Sequence, residues 1–116
     1  MDTPSSRLIA AAEAIMPVTD AQGRVLAIRR LGALDRLRLF KAAGAGLVGN
    51  AGWMGMATLA CSVTAIDDVP VPSPASEAQV EALVARLGDA GIAAVAAALS
   101  AAAPSDAAAP GVLAKN

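Results

Sequence analysis

Apolar and polar residues between Val18 and Leu99 change rhythm several times, and each change marks a new element. Val18-Thr19 and Arg24 to Ile28 are short β-prone runs flanking Asp20-Ala-Gln-Gly23, whose turn residues predict a β-hairpin. A hairpin of this size is not stable alone and must lie on helices. After Arg29 to Gly32 the period lengthens. Ala33 to Ala43 reads as a helix with Ala33, Leu34, Leu37 and Phe40 as its core stripe. Leu39 then projects on the opposite side, either as a second packing surface or as an exposed partner contact.

Gly44 stops this helix, and Gly46, Gly49, Asn50 and Gly52 keep the following stretch irregular. Helical character resumes from Trp53 to Cys61 on small residues. Val63 to Ile66 and Val69 to Val71 flank Asp67-Asp68, which predicts a second tiny hairpin or an extended corner. Pro70, Pro72 and Pro74 then stiffen a linker. Ser76-Glu-Ala-Gln79 has the form of a capping box, and Val80, Leu83, Val84 and Leu87 follow at i, i+3, i+4, i+7. Gly88 terminates, Asp89 caps again, and Ile92, Val95, Ala96 and Leu99 repeat the spacing, which predicts a helical hairpin with two apolar faces. Thr3-Pro4 opens a short N-terminal helix, whereas the Ala/Pro/Ser run at the other end has little to bury and is expected to be disordered. The expected division is therefore 1–16 as an N-terminal helix, 17–100 as one domain and 101–116 as a tail. The fold class is a small, helix-dominated α+β domain with one or two short β-hairpins and a C-terminal helical hairpin.

Composition tempers the packing this implies. The chain has 116 residues and is 56% hydrophobic, but nearly half of that is alanine, and Phe40 and Trp53 are its two aromatics. Alanine favours helix and buries little area, so the core rests on scattered Leu, Ile and Val.

Charge changes the picture more. Six of the nine basic residues, Arg24, Arg29, Arg30, Arg36, Arg38 and Lys41, fall in one stretch with a single carboxylate, Asp35. Acidic residues dominate from Asp67 onward. This asymmetry implies either intramolecular complementarity or a basic face kept for an acidic partner. A net charge of −1 argues against a general nucleic-acid binder.

Candidate chemistry is sparse. The chain has no histidine and one cysteine, Cys61, so a Cys or Ser nucleophile lacks its commonest base and a thiol–imidazole metal site cannot be assembled. The lone thiol reads as a small buried side chain in a reducing compartment. Gly44-Ala-Gly46-Leu-Val-Gly49 matches the dinucleotide GxGxxG pattern, but it follows a predicted helix where the fingerprint requires a strand. Neither catalysis nor a cofactor is expected. Glu13 interrupts the N-terminal apolar run, which has no basic leader and does not read as a secretory signal. From Ala42 to Ile66 the chain is uncharged over a length that could cross a bilayer, although five glycines and several polar residues make insertion marginal. A membrane span at 42–66 therefore stands as an alternative.

Several phrases together carry a resemblance: Val18-Thr-Asp-Ala-Gln-Gly-Arg24, Leu34-Asp-Arg-Leu-Arg-Leu-Phe-Lys-Ala-Ala-Gly44, Ile66-Asp67 before the proline linker, and Glu77-Ala-Gln-Val-Glu-Ala-Leu-Val-Ala-Arg-Leu-Gly-Asp89. Over roughly Val18 to Leu99 the chain resembles small proteins found among the tail genes of proteobacterial phages and prophages, often described as tail assembly chaperones. It departs from that pattern at Asp68, where a glycine is expected, and in a more glycine-rich Gly44 to Gly52 loop. The resemblance implies a non-enzymatic cytoplasmic protein. It would hold an aggregation-prone helical tail component, the tape measure protein, until tube subunits polymerise around it. Recognition of a helix needs an exposed apolar stripe. The residues expected to supply it are Leu39, Trp53 and Met56, with Arg36, Arg38 and Lys41 as a charged rim. Self-association is left open, and a structural tail component that stays in the particle is a second reading.

Overall fold

In the computed structural model residues 15–101 are described. Both predicted hairpins form, as β1 (Met16–Thr19) with β2 (Val25–Ile28) and β3 (Val63–Ile66) with β4 (Val69–Pro70). They fuse into one antiparallel sheet of order β1-β2-β3-β4 through pairing of Leu26 with Ile66 and Ala27 with Ala65. The two middle strands are joined by two helices, α1 (Ala33–Leu47) and α2 (Ala51–Cys61), and a long third helix, α3 (Glu77–Ala101), ends the described chain. The α+β class expected from the pattern is what these elements make.

Helix α1 runs past the Gly44 break to Leu47, and α2 starts at Ala51, inside the stretch expected to stay irregular; the two outer divisions move as well. Met16 belongs to β1, so the N-terminal helix expected over 1–16 does not extend that far; the rest of it lies outside the described residues. Ala101, assigned to the tail, is the last residue of α3, and the remainder of the tail also lies outside them.

Alternation sets the sheet's inner face. In β2 it buries Leu26 and Ile28. In β3 Val63 and Ile66 are three residues apart, and both join the core because the β2–β3 register shifts between Ala27 and Ile28. All four pack with Leu83, Leu87, Ile92 and Val95 of α3. Both outer strands carry a proline. Because the Asp20 amide donates to the Arg24 carbonyl, alternation turns the Val18 and Met16 amides toward β2 and points position 17 outward. Pro17 has no amide hydrogen to offer there, which blunts that edge against further pairing.

The turn between β3 and β4 has two central residues, Asp67 and Asp68, with φ of 49° and 68°, the left-handed pair that a two-residue hairpin requires. Asp67 is also clipped to β2: its carboxylate accepts from the Val25 amide and its own amide donates to the Val25 carbonyl, both at 2.8 Å. The missing glycine at position 68 therefore leaves a residue in a conformation that disfavours a side chain. Asp68→Gly should raise stability by about 0.5 kcal/mol, strain relief slightly exceeding the added chain entropy. Asp67→Gly gains similar relief but loses the bond from the Val25 amide to a charged carboxylate, about 1.5–3 kcal/mol, and should lower stability by roughly 1 kcal/mol. Urea unfolding of the two variants against the parent checks the opposite signs.

Helix ends follow the local signals. Asp35 accepts the Gly32 amide at the start of α1, and Asn50 caps α2 by accepting from the Trp53 amide. At the predicted capping box Ser76 Oγ accepts the Gln79 amide, while the Gln79 side chain reaches one residue further back, to the Ala75 amide. Gly44 and Gly88 break α1 and α3 with φ of 75° and 65° and ψ near 180°, a region essentially confined to glycine. In α3, Val80, Leu83 and Leu87 before the break and Ile92 and Val95 after it are buried at the two predicted spacings. The expected helical hairpin is instead one helix, Glu77–Ala101, broken at Gly88, since no loop residues separate its two segments.

The uncharged 42–66 run does not form a membrane-length helix. It is divided among the end of α1, the Gly44 break, the 11 residues of α2 and strand β3. An 11-residue helix is roughly 16 Å long, about half a hydrocarbon core. Among the described residues one helix, α3, is long and apolar enough to cross a membrane. It is broken at Gly88, and its large apolar side chains pack the core.

Candidate partner-docking site

Helix α1 packs with the face opposite to the one its sequence predicts. Leu39 and Ala43 are buried, with Leu39 4% exposed beside Ala57 and Val80. Leu34, Leu37 and Phe40, expected in the core, are 56%, 62% and 45% exposed. Leu39 is thus a packing residue and not a partner contact. The physical reason lies in size. A close seam holds one large side chain: Leu39 fills it beside Ala57 and Val80 with small Ala42 next to it, and Leu34, Leu37 and Phe40 stay outside.

At 100° per residue, Leu37 and Lys41 lie almost directly opposite Leu39, with Leu34 beside them and Phe40 and Arg38 on the two flanks. Beyond the Gly44 break, exposed Val48 extends the same surface, and a shallow concavity lies among Leu37, Arg38, Phe40, Lys41 and Val48. Arg36, Arg38 and Lys41 are exposed, and none of them forms an ion pair among the described residues. The result is an apolar ridge with cations along it.

Trp53 and Met56 belong to a different place. With Ala57, Val80 and Val84 they line a groove of about 430 Å³ between α2 and α3. Trp53 is half-buried and its Nε1–H donates to Glu81 at 3.0 Å, which fixes the ring as one wall; Met56 is 42% exposed. The six residues expected to act together are thus distributed over three locations: Arg36, Arg38 and Lys41 on the ridge, Trp53 and Met56 in the groove, Leu39 in the core. Leu34, Leu37, Phe40 and Val48 were missed as surface residues. The available signal is Ala42 and Ala43, small residues on the Leu39 side of the helix.

The other three cations of the basic stretch do structural work. Arg24 is held by Asp20, whose buried carboxylate accepts from Arg24 Nε at 2.8 Å and lies 2.7 Å from Nη2. The same guanidinium donates to the carbonyls of Arg86 and Leu87, at 3.0 and 2.7 Å, where the Gly88 break leaves helix carbonyls without intrahelical partners. Arg30 donates to the Leu99 carbonyl near the end of α3, and Arg29 pairs with Asp35 at 3.3 Å. The acidic C-terminal half is therefore met chiefly through its backbone carbonyls. Burial pushes the Asp20 carboxyl up, but the amides of Arg24 and Gln22 and the Arg24 side chain outweigh this and hold it below its ordinary value.

A cleft of about 250 Å³ brings Cys61 near Arg29, Asp35, Arg38, Thr64 and Ser73. Burial, and then the charge of Asp35, push the thiol above its ordinary value, which removes the thiolate a nucleophile needs. Cys61 should alkylate several-fold more slowly with iodoacetamide at neutral pH than in urea-unfolded chain, as mass spectrometry of timed samples will show. The GxGxxG glycines lie at and after the end of a helix, not after a strand, and Asp67-Asp68 forms a turn. Among the described residues no group of three His, Cys, Asp or Glu is placed to hold a metal.

Comparison with protein-family models, curated proteins and solved structures returns no match.

Proposed function

We propose that this chain is a non-catalytic adaptor of phage tail assembly. It holds an amphipathic, acid-flanked helix of a tail component, the tape measure protein, on the outer face of α1. The observation that carries this reading is the inversion of α1: Leu34, Leu37 and Phe40 face outward in a row, with Lys41 and Arg38 among them and exposed Arg36 at the edge beside Phe40. Contiguous exposed apolar surface rimmed by charge marks an interaction site. The resemblance of residues 18–99 to tail assembly chaperones supplies the kind of partner.

A helix laid along the ridge would seat its apolar stripe on Leu34, Leu37, Phe40 and Val48. Its carboxylates would meet the cations, which speed encounter and set orientation more than they add affinity. A one-helix surface belongs to the small, weak class of interfaces. That suits a chaperone, because polymerising tube subunits can displace it.

The test is a detergent-free pull-down from the native host with the tagged parent and with Leu37→Asp/Phe40→Asp, partners being identified by mass spectrometry. Recovery of a very long helical tail protein by the parent, and its loss in the variant, is the expected result. Equal recovery by both would remove the ridge from the mechanism, and recovery only from the membrane pellet would overturn the adaptor reading.

A further inference from the structure

We infer that the α2/α3 groove is the docking site for the α1 ridge of a second copy of this chain, so that the free protein associates head to tail and covers its own partner-binding surface. The chemistry of the two surfaces is reciprocal. The groove is apolar within, lined by Trp53, Met56, Ala57 and Val84. Its α3 side is acidic: Glu81 is held in place by the Trp53 indole, and exposed Glu77 lies one turn earlier. The ridge carries Leu37 and Lys41 on its crest, Leu34 and Phe40 beside them, and Arg38 on one flank. Its protruding side chains fit a concavity better than a flat face, and cation meets carboxylate when Leu37 and Phe40 enter the groove.

A chain cannot dock its own ridge. Leu39 packs beside Ala57 and Val80, two residues of the groove's floor, and the ridge lies on the opposite side of the same helix. The contact is therefore between copies, and because it joins two different surfaces it is heterologous: it propagates until it closes into a ring or continues as a chain. Association would keep Leu34, Leu37 and Phe40 out of water until a tail helix competes for them by mass action. This inference rests on the ridge being the docking surface proposed above, but its test involves no tail protein and can fail independently.

The experiment is sedimentation velocity on the full chain with two surface variants, each first checked for parent-like helical circular dichroism. Leu37→Asp destroys the ridge and Met56→Lys the groove. The parent should grow in mass with concentration, less so at high salt, while each variant alone stays monomeric. Mixed one to one, the variants should form a species of twice the monomer mass and nothing larger, since one intact ridge meets one intact groove. A parent that remains monomeric, a mixture that does not associate, or a single variant that dimerises by itself would each overturn the inference.

Discussion

Leu39→Asp should leave no stable domain at neutral pH, whereas Leu37→Asp, two residues away on the same helix, should melt close to the parent. Leu39 lies in the seam of α1, α2 and α3. Truncation to alanine there costs about 2–5 kcal/mol by lost burial and the cavity left behind. An aspartate adds a carboxylate with no partner in an apolar seam. For a domain of this size, whose total stability is on the order of 5–10 kcal/mol, the sum approaches the whole. Leu37 is 62% exposed, and surface substitutions stay within about 0.5 kcal/mol. Thermal unfolding followed by circular dichroism separates the two positions. The contrast matters for function, because loss of partner capture in Leu39→Asp would report unfolding, and in Leu37→Asp a lost contact.

The second large effect is at Arg24, whose guanidinium ties the β1–β2 turn to the break in α3. Alanine there removes the charged partner of Asp20 and leaves the Arg86 and Leu87 carbonyls without their donor. Hydrogen bonds from a charged group contribute about 1.5–3 kcal/mol, and for a domain of this length the midpoint should fall by on the order of 10 °C. Lysine should restore only part of it, since one ammonium cannot reproduce a planar fork that reaches a carboxylate and two carbonyls together. The pH dependence has a definite sign. Asp20 is held below its ordinary value of 3.8, so the folded state favours its charged form. That contribution is complete above the unfolded value and is lost as the pH falls through the lower folded one. Asp20→Asn should flatten this acid limb, which thermal melts between about pH 2 and pH 5 would detect.

Elements specified by neighbouring residues were legible in the chain. The Asp20 to Gly23 turn, the Asp67-Asp68 turn, the breaks at Gly44 and Gly88 and the two apolar spacings of α3 each depend on a handful of adjacent positions, and each stands where the pattern puts it. Features decided by distant packing were not. Pairing of β2 with β3 joins segments on either side of two helices. Apolar bulk along α1 points to one face, whereas Leu39, with small Ala42 beside it, packs on Ala57 and Val80 and selects the other. The basic stretch divides for the same reason. Arg24 and Arg30 find helix carbonyls more than sixty residues away, and only Arg36, Arg38 and Lys41 remain on the ridge. The candidate site was thus half legible: its cations were identified, and its apolar crest was taken for core.

On the function proposed above, the outward face of α1 meets a tail protein. A photo-crosslinking amino acid at position 37, with exposed Ala93 of α3 as the control position, tests it most directly in host cells producing phage particles. An adduct from position 37 to a very long helical tail protein is expected, beside any adduct to a second copy of this chain, and none to the tail protein from position 93. Absence of that adduct at position 37 while phage assembly proceeds, or equal adducts from both positions, would contradict it.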